Sequence, residues 1–260
     1  VQEHGGRIQV KDLCEKYHLE RRQFLRRFIS CVGIMPKLFA HFRARLEQAG
    51  LVLNEGKIID ASIVDAPIQR NSRDENQRIK DNDVPEDWSD AKRRQKDVDA
   101  TWTKKHGKSY FGYKNHVKVD AGSKLIDHYV VSTACVHDGT VIWDLLTAQD
   151  KGQELDADKA YDNAHTKKGV RLAKMKYRVL KQARRNKPLT ERDKRYNTSR
   201  SRVRARVEHV FGAMAKQLGG LQVRAIGLAR ATFQIGLTNL CYNFLRTLNL
   251  LTKHPTVGSV

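Results

Sequence analysis

The chain has 260 residues, with 49 Lys or Arg against 29 Asp or Glu, a formal net charge of +20 and a mean hydropathy of −0.63. The length suits one large domain or two modest ones, and 40% hydrophobic residues can fill a core, which excludes a disordered polyampholyte. The longest apolar stretch, Ala225–Leu250, is cut by Arg230, Gln234, Asn239, Asn243 and Arg246, so it falls short of the roughly 20 apolar residues a membrane span needs. The opening residues show no secretory leader. Cys14, Cys31, Cys135 and Cys241 lie too far apart for a zinc knuckle or a disulfide framework, so a reducing compartment is expected.

Residues 1–50 read as a short helical N-terminal region. Leu13, Tyr17, Phe24, Leu25, Phe28 and Ile29 recur at helical spacing, as do Leu38, Phe42 and Leu46, and Pro36 suits the first turn of the second helix. Lys57–Pro67 changes character. Ile58, Ile59, Ile63 and Val64 are β-branched, and Asp60 sits among them, a strand carrying an acid. Residues 70–99 are polar and near neutral, a long loop or insert with helical fragments. Ser109–Asp120 and Lys124–Ser132 read as strands around an Ala121-Gly122-Ser123 turn.

A helix is expected over Gly139–Leu146, a short acidic strand near Asp156–Tyr161, and a last or edge strand over Lys176–Leu180. Val203, Val207, Val210, Phe211 and Met214 then form an apolar helical stripe beside Glu208, broken at Gly219-Gly220. Leu228, Ala231, Ile235, Leu240, Phe244 and Leu248 suit one long buried helix that ends before Pro255, leaving 251–260 as a tail. The order of elements indicates a mixed sheet with helices packed against it, occupying 51–250.

The charge is local. Lys167–Arg206 holds 17 Lys or Arg against Glu191 and Asp193, so this segment alone carries +15. A single-sign stripe attracts a phosphate backbone and releases its counterions. The other reading is a solvated or assembly face. Three acids stand where acids are costly: Asp60 in a β-branched strand, Asp158 in or after a short strand, and Glu208 beside an apolar stripe. An all-carboxylate set beside a cationic stripe suits Mg²⁺, with Mn²⁺ as the alternative. Two such ions activate water or a 3′-hydroxyl and stabilise a leaving oxygen. Asp65, Asp156 and Asp162 compete for the same assignments, and each acid could equally be a cap or an ion-pair partner.

Gly56–Pro67 (GKIIDASIVDAP), Asp99–Val119 (DATWTKKHGKSYFGYKNHVKV), Val136–Gly139 (VHDG), Ala157–Asp162 (ADKAYD) and Arg204–Gly212 (RARVEHVFG) occur in this order. On these five stretches the chain resembles bacterial insertion-sequence transposases of the IS5 type, in the DDE transposase superfamily. The resemblance runs from about Arg43 to Leu248. It implies a ribonuclease-H-like α/β fold with a mixed five-stranded sheet flanked by helices. It also implies Asp60, Asp158 and Glu208 as the catalytic, metal-binding triad. The implied activity is metal-dependent cleavage of double-stranded DNA at the terminal inverted repeats and strand transfer into target DNA, by a homo-oligomer in the cytoplasm and nucleoid of a bacterium. The family's acid helix often has Tyr, Arg three on, Glu four on and Lys or Arg seven on. Here Arg204 and Glu208 match, Ser201 stands for Tyr and Ala215 for Lys, with Lys216 one residue late. Relatives also carry a longer helical N-terminal region that helps bind the repeats.

Within that frame Lys181, Arg184, Arg185, Arg200, Arg202 and Arg206 are expected on the DNA backbone, where contacts position without reading sequence. Lys108, Lys114 and Lys216 are further phosphate candidates, and Arg204 is expected to bind phosphate or to pair with Glu208 at i+4. His116 and His137 are candidates for supporting the metal site or touching DNA, against a purely structural histidine role. Trp88 or Trp102 would either stack on an unpaired base or anchor the 70–99 segment. Two other functions fit the same features: a non-catalytic or domesticated DNA-binding derivative, and a general metal-dependent nuclease.

Overall fold

The computed structural model describes residues 34–253 apart from 82, 84, 86, 186 and 220. The expected helix containing Leu13, Tyr17, Phe24 and Phe28 lies outside them. Six strands form one mixed sheet: β1 (Lys57–Asp65), β2 (Thr101–Lys105), β3 (Lys108–Asp120), β4 (Ile126–Thr133), β5 (Glu154–Ala157) and β6 (Lys176–Tyr177). The long β3 is the hub. It pairs antiparallel with β1 along Gly112–Asp120, with β4 along Tyr113–Val119 and with β2 along Lys108–Gly112. On its other side β1 runs parallel to β5, and β5 parallel to β6. The arrangement is ribonuclease-H-like, with a sixth strand added to the expected five.

That sixth strand is β2. His106 and Gly107 both have positive φ (50° and 79°), the backbone a two-residue hairpin needs, and they fold Thr101–Lys105 back onto Lys108–Gly112. Gly112 is where the pairings of β1 and β2 with β3 meet. Its φ is +151°, and a Cβ there would lie 2.2 Å from the Val64 carbonyl oxygen, so no other residue fits.

Alternation along β1 assigns the two faces. Ile58 joins a core with Val117 and Val119 of β3, Phe39 of α1 (Met35–Gln48), Val207, Val210 and Met214 of α6 (Glu191–Gln217) and Leu240 of α7 (Leu228–Lys253). Ile59 points the other way. It packs with Leu155, Ile142 and Leu145 of α4 (Ile142–Leu145) and Val170 of α5 (Ala164–Leu172). The expected helix over Gly139–Leu146 begins as a 3-10 turn, Asp138–Val141, before α4. In the 70–99 segment two short helices form, α2 (Arg73–Lys80) and α3 (Asp90–Gln95), with Ser72 and Ser89 at their N-caps. Trp88 is buried there and donates to Glu75 at 2.7 Å, so it is an anchor of this segment and presents no free ring.

Polar groups fix two of the packings. Asn115 of β3 and Asn239 of α7 exchange amide hydrogen bonds of 2.7 and 3.1 Å, while Asn243 accepts from the Ile126 N–H and donates to its carbonyl. At the α1 edge, Asp127 receives Arg43 at 2.6 Å and Lys118 at 3.0 Å, and Lys118 also reaches Asp150 at 2.6 Å. Lys57, Lys118, Asp120, Asp127 and Asp150 are all buried. Burial pushes the Asp127 carboxyl up, but Lys118, Lys57 and Arg43 outweigh it and hold it at about 2. Among the described residues no helix is long and apolar enough to cross a membrane.

Candidate active site

The register of the sheet brings the first two acids together. Ile58 pairs with Asp156 and Ile59 with Ala157 across the parallel β1–β5 ladder, so the next residues, Asp60 and Asp158, emerge side by side. Both share the face of Ile58, the face covered by α6. By the same alternation Asp65 lies on the opposite face, at the end of β1, where its backbone bonds to Leu221 and Val223.

α6 supplies the third acid. Thr190 caps it in a reciprocal capping box with Asp193. Val203, Val207, Val210 and Met214 face the core, as their spacing predicts. Arg200, Arg204 and Glu208 follow one another at four-residue intervals, a polar stripe along the edge of the apolar one. Arg200 clamps α6 to β5, donating to Asp156 through Nε at 2.7 Å and to Glu154 through Nη2 at 2.8 Å. One turn later Arg204 Nη1 reaches Asp60 at 3.0 Å, and Nη2 binds Glu208. A guanidinium therefore spans Asp60 and Glu208, and Asp158 emerges beside Asp60.

Their environments differ. The Asp60 side chain is 18% exposed, whereas Glu208 is 56% exposed and stands at the rim. The expectation that all three acids are buried is thus corrected: the apolar stripe turns away from Glu208. Burial raises the Asp60 pKa to about 6. The Ala61 N–H and Arg204 oppose that rise, and the charge of Asp158 adds to it. Asp158 accepts from the Lys159 N–H at 2.7 Å and caps the 3-10 turn Lys159–Tyr161. Tyr161 is buried in the core on the Ile59 side, and burial together with the charges of Asp138, Asp60 and Asp158 raises its pKa well above the ordinary value.

Oxygen donors of this kind suit a hard divalent cation. Among the described residues, however, no three His, Cys, Asp or Glu stand as a ready set of ligands. The cation that already bridges two of the acids is Arg204.

The remaining candidates separate by direction. Arg200 is inward, on Glu154 and Asp156. Arg206 donates to the Ala121 carbonyl at 2.7 Å, and Lys114 holds Asp138 at 2.8 Å and the Val136 carbonyl at 2.7 Å. All three are engaged within the DNA-free fold. His116 pairs in register with Ala61, one residue from Asp60, so it projects from the opposite face, buried against Ser132 at 2.7 Å. Burial lowers its pKa to about 4, partly offset by Asp138. Its side chain thus leaves the sheet on the face opposite Asp60. His137 is exposed and accepts the Gly139 N–H through Nδ1 at the start of the 3-10 turn.

Lys108, Arg184, Arg185, Arg202 and Lys216 are exposed. Lys181 is half exposed and pairs with Asp193. Lys181, Arg184 and Lys187 line a cavity of about 550 Å³ with Tyr177 and Tyr196, between the end of β6 and the start of α6. Trp102 is 49% exposed on β2, beside Phe111 with ring centroids 5.2 Å apart.

Two site residues escaped the sequence reading. Lys105, at the tip of the β2–β3 hairpin, is close enough to lower the Asp60 pKa. The available signal is the His106-Gly107 turn pair between TWTKK and KSYFG. Glu154 was missed because a carboxylate beside a strand start carries no sign of its distant Arg200 partner.

Residues 57–244 match the model of the transposase DDE domain. A transposase for insertion sequence element IS1106 from Neisseria meningitidis serogroup B is 28% identical over 218 residues, covering 84% of this chain and 74% of that protein. The match runs from β1 into α7 and takes in Asp60, Asp158 and Glu208, and the chain belongs to the transposase DDE-domain family.

Proposed function

We propose that the chain is an IS5-type transposase that cuts double-stranded DNA at transposon ends and joins the freed 3′-hydroxyl to target DNA, with Asp60, Asp158 and Glu208 as its catalytic acids. The observation that carries this reading is the adjacency of Asp60 and Asp158 across β1 and β5, with Glu208 tied to Asp60 through Arg204.

These three carboxylates would hold the divalent cations, Mg²⁺ or Mn²⁺. Bound there, such ions lower the pKa of water or of a 3′-hydroxyl and neutralise charge on the leaving oxygen. The protein's part is positional. β1 and β5 fix two acids by backbone register, and the Arg200 clamp fixes the height of α6, and so of Glu208, against them. The sheet excludes water from the inner side of Asp60, which leaves its charge under-solvated and receptive to a cation. Lys105 and Lys108 on the hairpin tip, Arg202 and Lys216 on α6, and Lys181, Arg184 and Arg185 before it supply positive charge for the DNA backbone. In strand transfer, the same pocket would hold the 3′-hydroxyl and the target phosphate. Joining two ends calls for two or more copies of the chain.

The test is cleavage and strand transfer on duplexes taken from the DNA flanking the gene, with Mg²⁺ or Mn²⁺. Asp158→Asn should abolish both while leaving duplex binding within about twofold. Cleavage by this variant at the wild-type rate would refute the catalytic assignment.

A further inference from the structure

We propose that Arg204 keeps the carboxylate pocket closed to divalent cations until a DNA phosphate draws its guanidinium away, so that metal loading follows DNA binding. The proposal rests on the transposase reading for the identity of the anion, and on geometry for the rest.

Two of the three acids are already engaged by one cation. Arg204 Nη1 lies 3.0 Å from Asp60 Oδ2, and Nη2 binds Glu208 Oε1. A second cation entering between these carboxylates would meet the guanidinium's charge and find two of their oxygens taken. Among the described residues no ready set of three ligands stands here, and the cation that holds Asp60 and Glu208 is the guanidinium.

The lock is also incomplete. Arg204 Nε is buried with no acceptor, so this N–H of the guanidinium goes unmet. A buried donor without a partner is costly, which lowers the barrier to exchanging this arrangement for another. Phosphate offers what the pocket lacks. It presents several oxygens to a planar fork, and Arg–phosphate pairs are commonly bidentate. The Arg204 side chain is 21% exposed, so a phosphate arriving at the rim can reach it.

Release needs no movement of α6. Arg204 sits one turn before Glu208, and a change of side-chain rotamer frees both carboxylates at once. The helix stays in place because Arg200 holds it on Glu154 and Asp156, and Val203, Val207 and Val210 hold it in the core. Arg204 is thus a positioning residue whose two partners, carboxylate and phosphate, exclude one another. Metal and DNA affinities are then linked, and the linkage is reciprocal.

The experiment is Mn²⁺ binding to the full chain, read by electron paramagnetic resonance of free Mn²⁺. It is done with and without a 20-base-pair duplex of arbitrary sequence, subtracting what the duplex binds alone. Arg204→Gln should bind Mn²⁺ at least tenfold more tightly than wild type without DNA. The duplex should raise the wild-type affinity at least tenfold and that of Arg204→Gln less than twofold. Adding Asp60→Asn to Arg204→Gln should remove the gain. Arg204→Lys, which keeps one charge but loses the fork, should fall between.

Arg204→Gln binding no tighter than wild type would overturn the proposal. So would equal enhancement by DNA in both proteins, or a gain that survives Asp60→Asn. If Arg204→Gln does not fold, wild type still decides: Mn²⁺ must raise duplex affinity by the factor by which duplex raises Mn²⁺ affinity, and no enhancement in either direction overturns the proposal. Cleavage is not part of the readout. Metal exchange without strand transfer would count against the transposase reading alone, and strand transfer with Arg204-indifferent metal binding against this proposal alone.

Discussion

Replacing Asp60 by a neutral residue should stabilise the metal-free protein at neutral pH, because burial disfavours its charged form. Its carboxyl is moved from 3.8 to about 6, chiefly by burial, in a side chain that is 18% exposed. Each tenfold change in proton affinity is worth about 1.4 kcal/mol, so the ionised form costs the fold roughly 3 kcal/mol. The sign follows from linkage. The folded pKa lies above the unfolded one, so the protonated group favours the fold below about pH 4. That advantage is lost as pH rises through about 6. Asp60→Asn keeps the shape, can still accept from Arg204, and carries no charge at any pH. In a chelating buffer it should match wild type near pH 4 and exceed it by about 3 kcal/mol at pH 8. At about 2–4 °C per kcal/mol for a chain of this size, the melting temperature should rise by about 6–12 °C. Thermal unfolding followed by circular dichroism from pH 4 to 8 is the assay. A variant less stable than wild type at pH 8, or a difference that does not change with pH, would refute the reasoning.

Other expectations follow from single contacts. Asp127→Ala leaves Lys57, Lys118 and Arg43 facing too little negative charge in the interior, and urea unfolding should show a loss of about 3–5 kcal/mol. In wild type the contribution of Asp127 is present above about pH 4 and disappears as pH falls through about 2, because its folded pKa is depressed. Gly112→Ala should prevent soluble expression or cost about 3 kcal/mol or more, since its Cβ would overlap the Val64 carbonyl. Arg200→Ala should cost about 2–4 kcal/mol by leaving Asp156 buried without its cation, with duplex affinity changed less than twofold. Arg184→Ala with Arg185→Ala should do the reverse, weakening duplex binding and lowering the salt slope by about 2 with unchanged stability.

Much of the architecture was readable because periodicity reports which side of an element is dry. The β-branched run around Asp60 and the stripe from Val203 to Met214 both form the elements they predict. The hairpin strand β2 was not recognised because Thr101–Lys105 is exposed and rich in lysine, with little apolar alternation to mark it. The cationic segment was harder. Its excess charge is real, yet Arg200 and Arg204 point inward to acids far away in sequence, and Arg206 to a carbonyl. A count along the chain cannot tell a cation facing solvent from one facing the sheet. The four-residue spacing of Arg200, Arg204 and Glu208 could have, since it places all three on one line of α6. His116 shows the converse limit: it stands beside Ala61 in the ladder, and strand parity alone turns it from the acids.

The amide pair between β3 and α7 bears on how uniquely the molecule is put together. α7 offers the sheet Ala231, Ile235 and Leu240, side chains that would pack almost as well after a slip along the helix axis. Asn115, Asn239 and Asn243 do not tolerate such a slip. Displaced by one turn, they would each lose their bonds in a place where water cannot replace them. Apolar contact thus makes α7 adhere, and three asparagines choose its alignment. The alignment reaches further, because α6 touches both α7 and the strands that carry or precede Asp60 and Asp158. A helix that supplies none of the three carboxylates acts as the datum from which their spacing is set.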